Sequence, residues 1–367
     1  MGKKVKKIFI AATKQNNGKT TLSLGLINAF KKKFRRVGFI KPVGQRYVIE
    51  EGYKIDEDSV LMEKVYGMKA RLKDMSPIAI EKGFTEKYIM KGRSKKLSNE
   101  IISSFERISK GKELIVIEGT GHAGVGSVFD LSNAKVARML DAKVILIAAG
   151  GIGKPIDEIE LNMALFEKEG VEVIGAIVNK VRPEKFNKVR RVVKLGLKSR
   201  GIDLLGVIPY TPMLSMPLIQ HILEETDMKL ISKKTGMRNK IKKILIGAME
   251  PHDALMYIEN GSLLITPGDR EDMLMTLLSA HLLKKNDRDI SIAGIVLTGG
   301  IVPKKSIMTL IEKAKIPVLL SKNHTYLTAS KIHDLAIKIG PKDKEKMLLA
   351  TKLVEKYVDI DKILKKL

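Results

Sequence analysis

Apolar residues in this chain gather in short runs, and between the runs they recur at helical spacing. Lys7–Ala12 is a predicted strand, and Thr20–Phe34 a predicted helix that repeats Leu22, Leu26, Ile27 and Phe30 along one face. Further strands are expected over Arg36–Lys41, which stops at Pro42, and over Glu113–Glu118, Lys143–Ala148, Glu172–Asn179 and Leu204–Ile208. Strands alternating with helical patterns predict an α/β fold with a mostly parallel sheet covered by crossover helices. Each run ends in glycine, proline or polar residues, at the sheet edge where open α/β folds hold ligands.

The pattern breaks at Pro209–Pro217, where PYTPMLSMP places three prolines in nine residues. It then restarts with strands at Ser262–Thr266, Ile292–Leu297 and Val318–Leu320 and helices at Arg270–Lys285 and Lys304–Lys315. The expected organisation is a nucleotide-binding domain over 1–215, a smaller α/β domain over 216–340, and a charged amphipathic C-terminal helix over 341–367. A length of 367 residues favours two cores over one. No apolar run approaches the roughly 20 residues that a bilayer crossing needs. The start, MGKKVKKIFIAA, runs straight into a glycine-lysine loop without a cleavage site, so a cytoplasmic protein is expected, with no membrane partner.

Composition changes the picture twice. With no cysteine, disulfides, zinc-thiolate sites and cysteine nucleophiles are all excluded. The net charge of +26 raises nucleic-acid binding. Against it, 53 of the 67 basic residues are lysine and only 14 are arginine, and the basic runs (Lys3–Lys7, Lys31–Arg36, Lys240–Lys243, Lys365–Lys366) are scattered without interleaved aromatics. A solvated surface is the better reading, and a lysine-rich, cysteine-free chain also suits heat adaptation.

The densest chemistry follows the first strand. Thr13-Lys14-Gln15-Asn16-Asn17-Gly18-Lys19-Thr20-Thr21 sits between that strand and a helix, as a phosphate-binding loop requires. Its backbone N–H groups would cradle an anion, Lys19 would neutralise the β- and γ-phosphates, and Thr20 would ligate Mg²⁺. Thr13 stands where the usual first glycine would be. ATP and Mg²⁺ are therefore the expected cofactors. Lys14 lies five residues before Lys19, a spacing that resembles the deviant loop of the septum-positioning ATPases. That resemblance implies a lysine reaching the nucleotide across a homodimer interface, with a solvated lysine as the plain alternative.

Farther along come Lys41-Pro42-Val43, the acidic run Asp56-Glu57-Asp58, Ile117-Glu118-Gly119-Thr120-Gly121, Asn179 and Gly206-Val207-Ile208-Pro209. In this order they resemble dethiobiotin synthetase and the cobyrinic acid a,c-diamide synthases, over roughly Lys7–Leu214. The resemblance implies Mg²⁺ ligation by Thr20, Asp58 and Glu118, a catalytic role for Lys41 near a substrate carboxylate and the γ-phosphate, and purine recognition by Asn179. Glu118 could instead cap its loop, and Asp58 is one of three neighbouring acids. The stretch from Gly119 to Ser127 is richer in glycine than those enzymes, and His122 within it is a candidate switch or base that Asp130 could orient.

Ile246-Gly247-Ala248-Met249, Thr266-Pro267-Gly268-Asp269-Arg270, Thr298-Gly299-Gly300 and the segment from His324 to Ser330 resemble the DRTGG domain. A synthetase-like P-loop domain followed by a DRTGG domain resembles the N-terminal region of long phosphotransacetylases. The sequence stops at Leu367, so acetyltransferase chemistry is not carried over, and the layout implies a regulatory protein answering to a nucleotide and to an unknown metabolite or protein partner. Arg270 could fork onto a small anion, or the glycines could serve turns alone. Three functions stay open: an ATP-binding switch with slow hydrolysis, an ATP-dependent ligase acting on a small carboxylate or amine, and a basic nucleic-acid-binding protein.

Overall fold

The computed structural model describes residues 5–92, 95–282, 291–335, 339–341 and 343–367. It divides the chain into two compact units, Met1–Leu214 with Lys338–Leu367, and Ser215–Ile337. The chain thus leaves the first unit, builds the second, and returns to the first.

Six strands make the sheet of the first unit: β1 (Lys6–Ala12), β2 (Val37–Ile40), β3 (Leu114–Glu118), β4 (Lys143–Ala149), β5 (Val173–Val181) and β6 (Leu204–Pro209). Their order is β6-β5-β4-β1-β3-β2, and every pairing is parallel. Ile8, Phe9, Ile10, Leu114, Ile115, Val116, Val144, Ile145 and Leu146 are inaccessible to solvent, the unbroken apolar burial of strands covered on both faces. Around this sheet lie α1 (Lys19–Lys31), α2 (Glu57–Tyr66), α3 (Lys96–Ser109), α4 (Asn133–Met139), α5 (Gly153–Lys168) and α6 (Phe186–Lys198). The order reverses about β1, whose neighbours are β3 and β4, so the loop leaving β1 opens at a topological switch point.

The sheet of the second unit is built from β7 (Lys229–Leu230), β8 (Lys243–Ile246), β9 (Ser262–Pro267), β10 (Ile292–Thr298) and β11 (Val318–Leu320), in the order β7-β11-β10-β9-β8. Only β7 runs antiparallel to its neighbour. Helices α7 (Glu271–Leu282) and α8 (Lys305–Ala314) bury Met273, Leu274, Leu277, Ile307 and Ile311 in one core cluster with Ile295 and Leu297 of β10. The helix expected to run to Lys285 has its last three positions outside the described residues, as do Lys3 and Lys4 of the N-terminal basic run.

The C-terminal segment differs from the single helix expected over 341–367. It forms α9 (Lys344–Tyr357) and α10 (Ile360–Lys366), interrupted where Val358 bridges to Gly206 and Asp359 N–H donates to Leu205 O at 2.8 Å. Edge strand β6 takes these backbone bonds, and so part of its open edge is covered. Ala350 and Val354 of α9 are fully buried within the core of the first unit, where α9 packs along α1.

Candidate nucleotide and metal site

Residue 13 continues β1, with Thr13 N–H donating to Ile147 O at 2.8 Å, and the loop then turns sharply back into α1. Gly18 stands at the N-cap with φ of 94°, a left-handed conformation that side chains rarely adopt. A Cβ there would also lie 2.3 Å from Asn179 Nδ2. The turn therefore demands the glycine, and with it Lys19 becomes the first residue of the helix. Asn17 Nδ2 donates to Thr13 Oγ1 at 2.9 Å, Asn179 Nδ2 to Asn17 O at 2.9 Å, and Lys180 Nζ to Asn16 O at 2.7 Å. These bonds hold the loop in shape without a ligand, as an anion cradle needs.

Lys19 is buried and its Nζ donates to Gly121 O at 3.2 Å, linking the phosphate loop to the loop after β3. Thr20 Oγ1 donates to Glu118 Oε1 at 3.1 Å. Thr21 follows in the first turn of α1, half-buried. Thr20 and Glu118 thus meet, as expected, although 98 residues separate them.

The acidic run reaches the same place by local means. A hairpin of Tyr47–Glu50 with Tyr53–Asp56 brings the chain to α2. Asp56 caps that helix by accepting from Asp58 N–H at 2.9 Å, which sets Asp58 in its first turn. Lys41, held where its own N–H donates to Met75 O at 2.8 Å, lies between the carboxylates. Its Nζ is in direct contact with Asp58 Oδ2, 3.3 Å from Asp56 Oδ1 and 3.4 Å from Glu118 Oε1. All four side chains are buried. Burial alone would lower the Lys41 pKa, but Asp58, Glu118 and Asp56 outweigh it and hold the ammonium well above its ordinary value. Burial pushes Glu118 up, Lys41 pulls it back, and Asp58 adds to the rise; the net direction is upward.

Three carboxylates against one ammonium leave the cluster two charges short of neutral, with Lys19 close by. Glu118 Oε2 is buried without a hydrogen bond. A hard divalent cation fits this donor chemistry. Among the described residues no group of three or more His, Asp or Glu side chains is arranged to hold a metal by itself. The fitting set is two carboxylates and a hydroxyl, Asp58, Glu118 and Thr20, which leaves other positions for water and phosphate oxygens.

Lys14 is exposed and pairs within its own chain: its Nζ is 3.0 Å from Glu158 Oε1 on α5, while Thr13 Oγ1 donates to Glu158 Oε2 at 2.8 Å. Burial would raise the Glu158 pKa, but Lys14 and Thr13 outweigh it and lower it. Asn179, expected at the purine edge, spends its amide on the loop: Nδ2 bonds Asn17 O, and Oδ1 accepts from Lys180 N–H at 2.8 Å. His122 is exposed and its Nδ1 accepts from Gly124 N–H at 3.2 Å, whereas Asp130 pairs with Lys135 at 3.5 Å. The orienting role considered for Asp130 therefore has no counterpart in these contacts.

Two asparagines missing from the sequence reading order the loop after β3. Asn133 Nδ2 donates to Thr120 O at 2.7 Å and to His122 O at 2.6 Å, and Asn162 Oδ1 accepts from Ala123 N–H at 2.9 Å. In the second unit Arg270 is committed internally, with Nε 2.9 Å from Asp272 Oδ1 and Nη2 donating to Met249 O at 3.2 Å. Its fork is taken, which supports the structural reading of the Gly268-Asp269-Arg270 turn.

With the geometry in place, relatives can be compared. The AAA domain family matches residues 6–218 and the DRTGG domain residues 221–335. A phosphate acetyltransferase of Pseudomonas putida is 27% identical over 363 residues, covering 96% of this chain and 50% of its own length. One from Synechocystis is 26% identical, covering 97% and 51%. The chain thus spans about half the length of these relatives. The MinD cell division protein of Aquifex aeolicus is a structural neighbour at 18% identity, covering 57% of this chain and 84% of its own, with a TM-score of 0.37.

Proposed function

Because the chain belongs to the AAA domain family and carries a DRTGG domain behind that match, we propose that it is an Mg·ATP-binding regulatory or switch protein with slow ATP hydrolysis. It would correspond to the accessory N-terminal region of phosphotransacetylases and work in the cytoplasm. Its partner would be a metabolite or a protein that responds to the nucleotide state. The observation that carries the reading is the preformed loop at a switch point, with Lys19 at a helix N-terminus and Thr20 on Glu118.

In this reading the loop N–H groups and Lys19 bind the phosphates, while Thr20, Asp58 and Glu118 hold Mg²⁺. When bound, the ion supplies charge neutralisation between the phosphates and the carboxylates. Lys19 also tethers the Gly121 carbonyl, so a phosphate drawing Lys19 away would free that carbonyl while Asn133 and Asn162 still hold the loop at Thr120, His122 and Ala123. A tether given up when a phosphate takes the lysine would couple nucleotide binding to this loop, as a nucleotide switch needs. Lys14 could act across a homodimer only by giving up Glu158, and its 62% side-chain exposure leaves it accessible for that exchange.

A second reading, an ATP-dependent ligase of the dethiobiotin synthetase type, is favoured by Lys41, a buried ammonium beside the metal-binding carboxylates. Lys41→Ala cannot separate the two cleanly, since it strands three buried carboxylates, and breaking such a set costs about 3–5 kcal/mol. Calorimetry with Mg·ATP followed by phosphate release without added substrate does separate them. Binding with slow substrate-free turnover is expected, and Lys19→Ala should abolish both. Tight binding with no turnover until a small carboxylate or amine is added would instead establish the ligase. If the unaltered chain binds no nucleoside triphosphate, both readings fail.

A further inference from the structure

The second unit holds a cavity of about 620 Å³ at the end of its sheet where β8, β9 and β10 begin, opposite the Arg270 turn. Arg238, Lys240, Lys242 and Lys315 line it, with His281 and Asn260, and no acidic side chain lines it among the described residues. From this cavity we propose a second, P-loop-independent binding site, one for a compact anion carrying several negative charges on phosphate or carboxylate groups.

Charge is the first argument. Lysines are common everywhere on this chain, so their presence alone decides nothing. Some others in the second unit are paired, as Lys243 is with Glu259 at 2.5 Å and Lys233 with Glu312 at 3.3 Å. Arg238, Lys242 and Lys315 have no carboxylate partner among the described residues. A plainer role would be to offset the C-terminal ends of α7 and α8, which lie here because His281 and Lys315 belong to them. Each helix end carries about half a negative charge, so the two amount to about one against the three cations Arg238, Lys242 and Lys315. The excess is what a multiply charged ligand would neutralise.

Construction is the second argument. Lys315 ends α8 at φ of 56°, a conformation normally left to glycine or asparagine. The cavity floor is firm: Asn260 Oδ1 accepts from Ser291 N–H at 2.7 Å, and Asn239 Nδ2 donates to Ala293 O at 2.9 Å. His281 Nδ1 accepts from Ile292 N–H at 3.2 Å, which leaves its Nε2 as a donor. The volume suits a metabolite. Among the described lining residues there is no Phe, Tyr or Trp ring, so a base would have only His281 or Arg238 to stack on.

The test uses the full chain carrying Lys19→Ala, so that the phosphate loop is silent. It is titrated by calorimetry with inorganic pyrophosphate and, separately, with citrate. One saturable site per chain is expected for at least one probe, and the tighter of the two names the anion type. Adding Lys242→Gln with Lys315→Gln should weaken that site about tenfold or more, equivalent to at least about 1.4 kcal/mol. A control pair of equal charge change on α6, Lys188→Gln with Lys198→Gln, should leave it within about twofold. All four of these lysines are exposed, so the fold should tolerate each change, and thermal unfolding checks that. Absence of saturable binding, or equal weakening by both pairs, would overturn the site and leave only general attraction to a basic protein.

Discussion

At the scale of single residues, the buried Lys41 cluster contrasts with Asp74, a buried carboxylate met by exposed arginines. Lys41 sits among more negative charge than it can balance, which is the signature of a site that expects another cation. Asp74 is over-supplied with positive partners: Arg107 Nη2 lies 2.7 Å from Oδ1 and Arg71 Nε 3.1 Å from Oδ2, with Ser104 adding a hydroxyl. Burial would raise the Asp74 pKa, but the arginines outweigh it and hold it below the ordinary carboxylate value. A depressed carboxylate stabilises the fold above its unfolded pKa of about 4, and that contribution fades as pH falls through the folded value. Asp74→Asn should therefore lower the thermal midpoint at pH 6–7. The gap from the unaltered chain should close on acidification below about pH 4. A gap that stays constant with pH would show that Asp74 acts by shape alone. The sequence showed the phosphate loop plainly because its residues are contiguous. Asn133, Asn162 and Glu158 were invisible, being single polar residues in helices whose role arises only from what the fold sets opposite them.

At the scale of elements, the strands of the first sheet were legible almost to the residue, because full burial forces continuous apolar runs. The four-residue β8 was not recognised as a strand: it is bounded by lysines and a glycine, with only one fully buried position. The C-terminal helix was legible as amphipathic but not as broken, since the break answers to backbone groups of distant β6. Its partner is specific. A Cβ on Gly25 of α1 would lie 2.3 Å from Val354 Cγ2 of α9. Gly25→Ala should cost about 1–3 kcal/mol by overpacking, despite alanine's better helix propensity. In a Val354→Gly background, which removes both the Cγ2 at 2.3 Å and the Cβ at 2.4 Å, the same change should cost less. Denaturant unfolding of the four proteins of this cycle measures the coupling, and additivity would mean that the two helices do not touch in solution.

For the whole molecule, the second unit is an insertion, leaving after Leu214 and returning at Lys338. Each unit has its own sheet and its own buried clusters. Replacing 215–337 by a short flexible linker should therefore yield a folded protein that retains nucleotide affinity within a few-fold, read by calorimetry. Truncation at 214 should instead yield an unstable one, because α9 and α10 would be lost with the insertion. Instability of both shortened proteins alike would mean that the first unit needs the second to fold.

That route through space also fixes a schedule. Synthesis proceeds from the amino terminus, so the phosphate loop and α1 are made before the inserted unit and the helix that covers α1 after it. Throughout translation of the inserted unit, the apolar flank of α1 that Val354 will fill stands uncovered. A ribosome that stalls or terminates anywhere between residues 215 and 343 releases a chain with its central sheet assembled and that flank bare. Partial products of this protein should accordingly be selected by chaperones and proteases, while a chain that carries α9 and α10 escapes them.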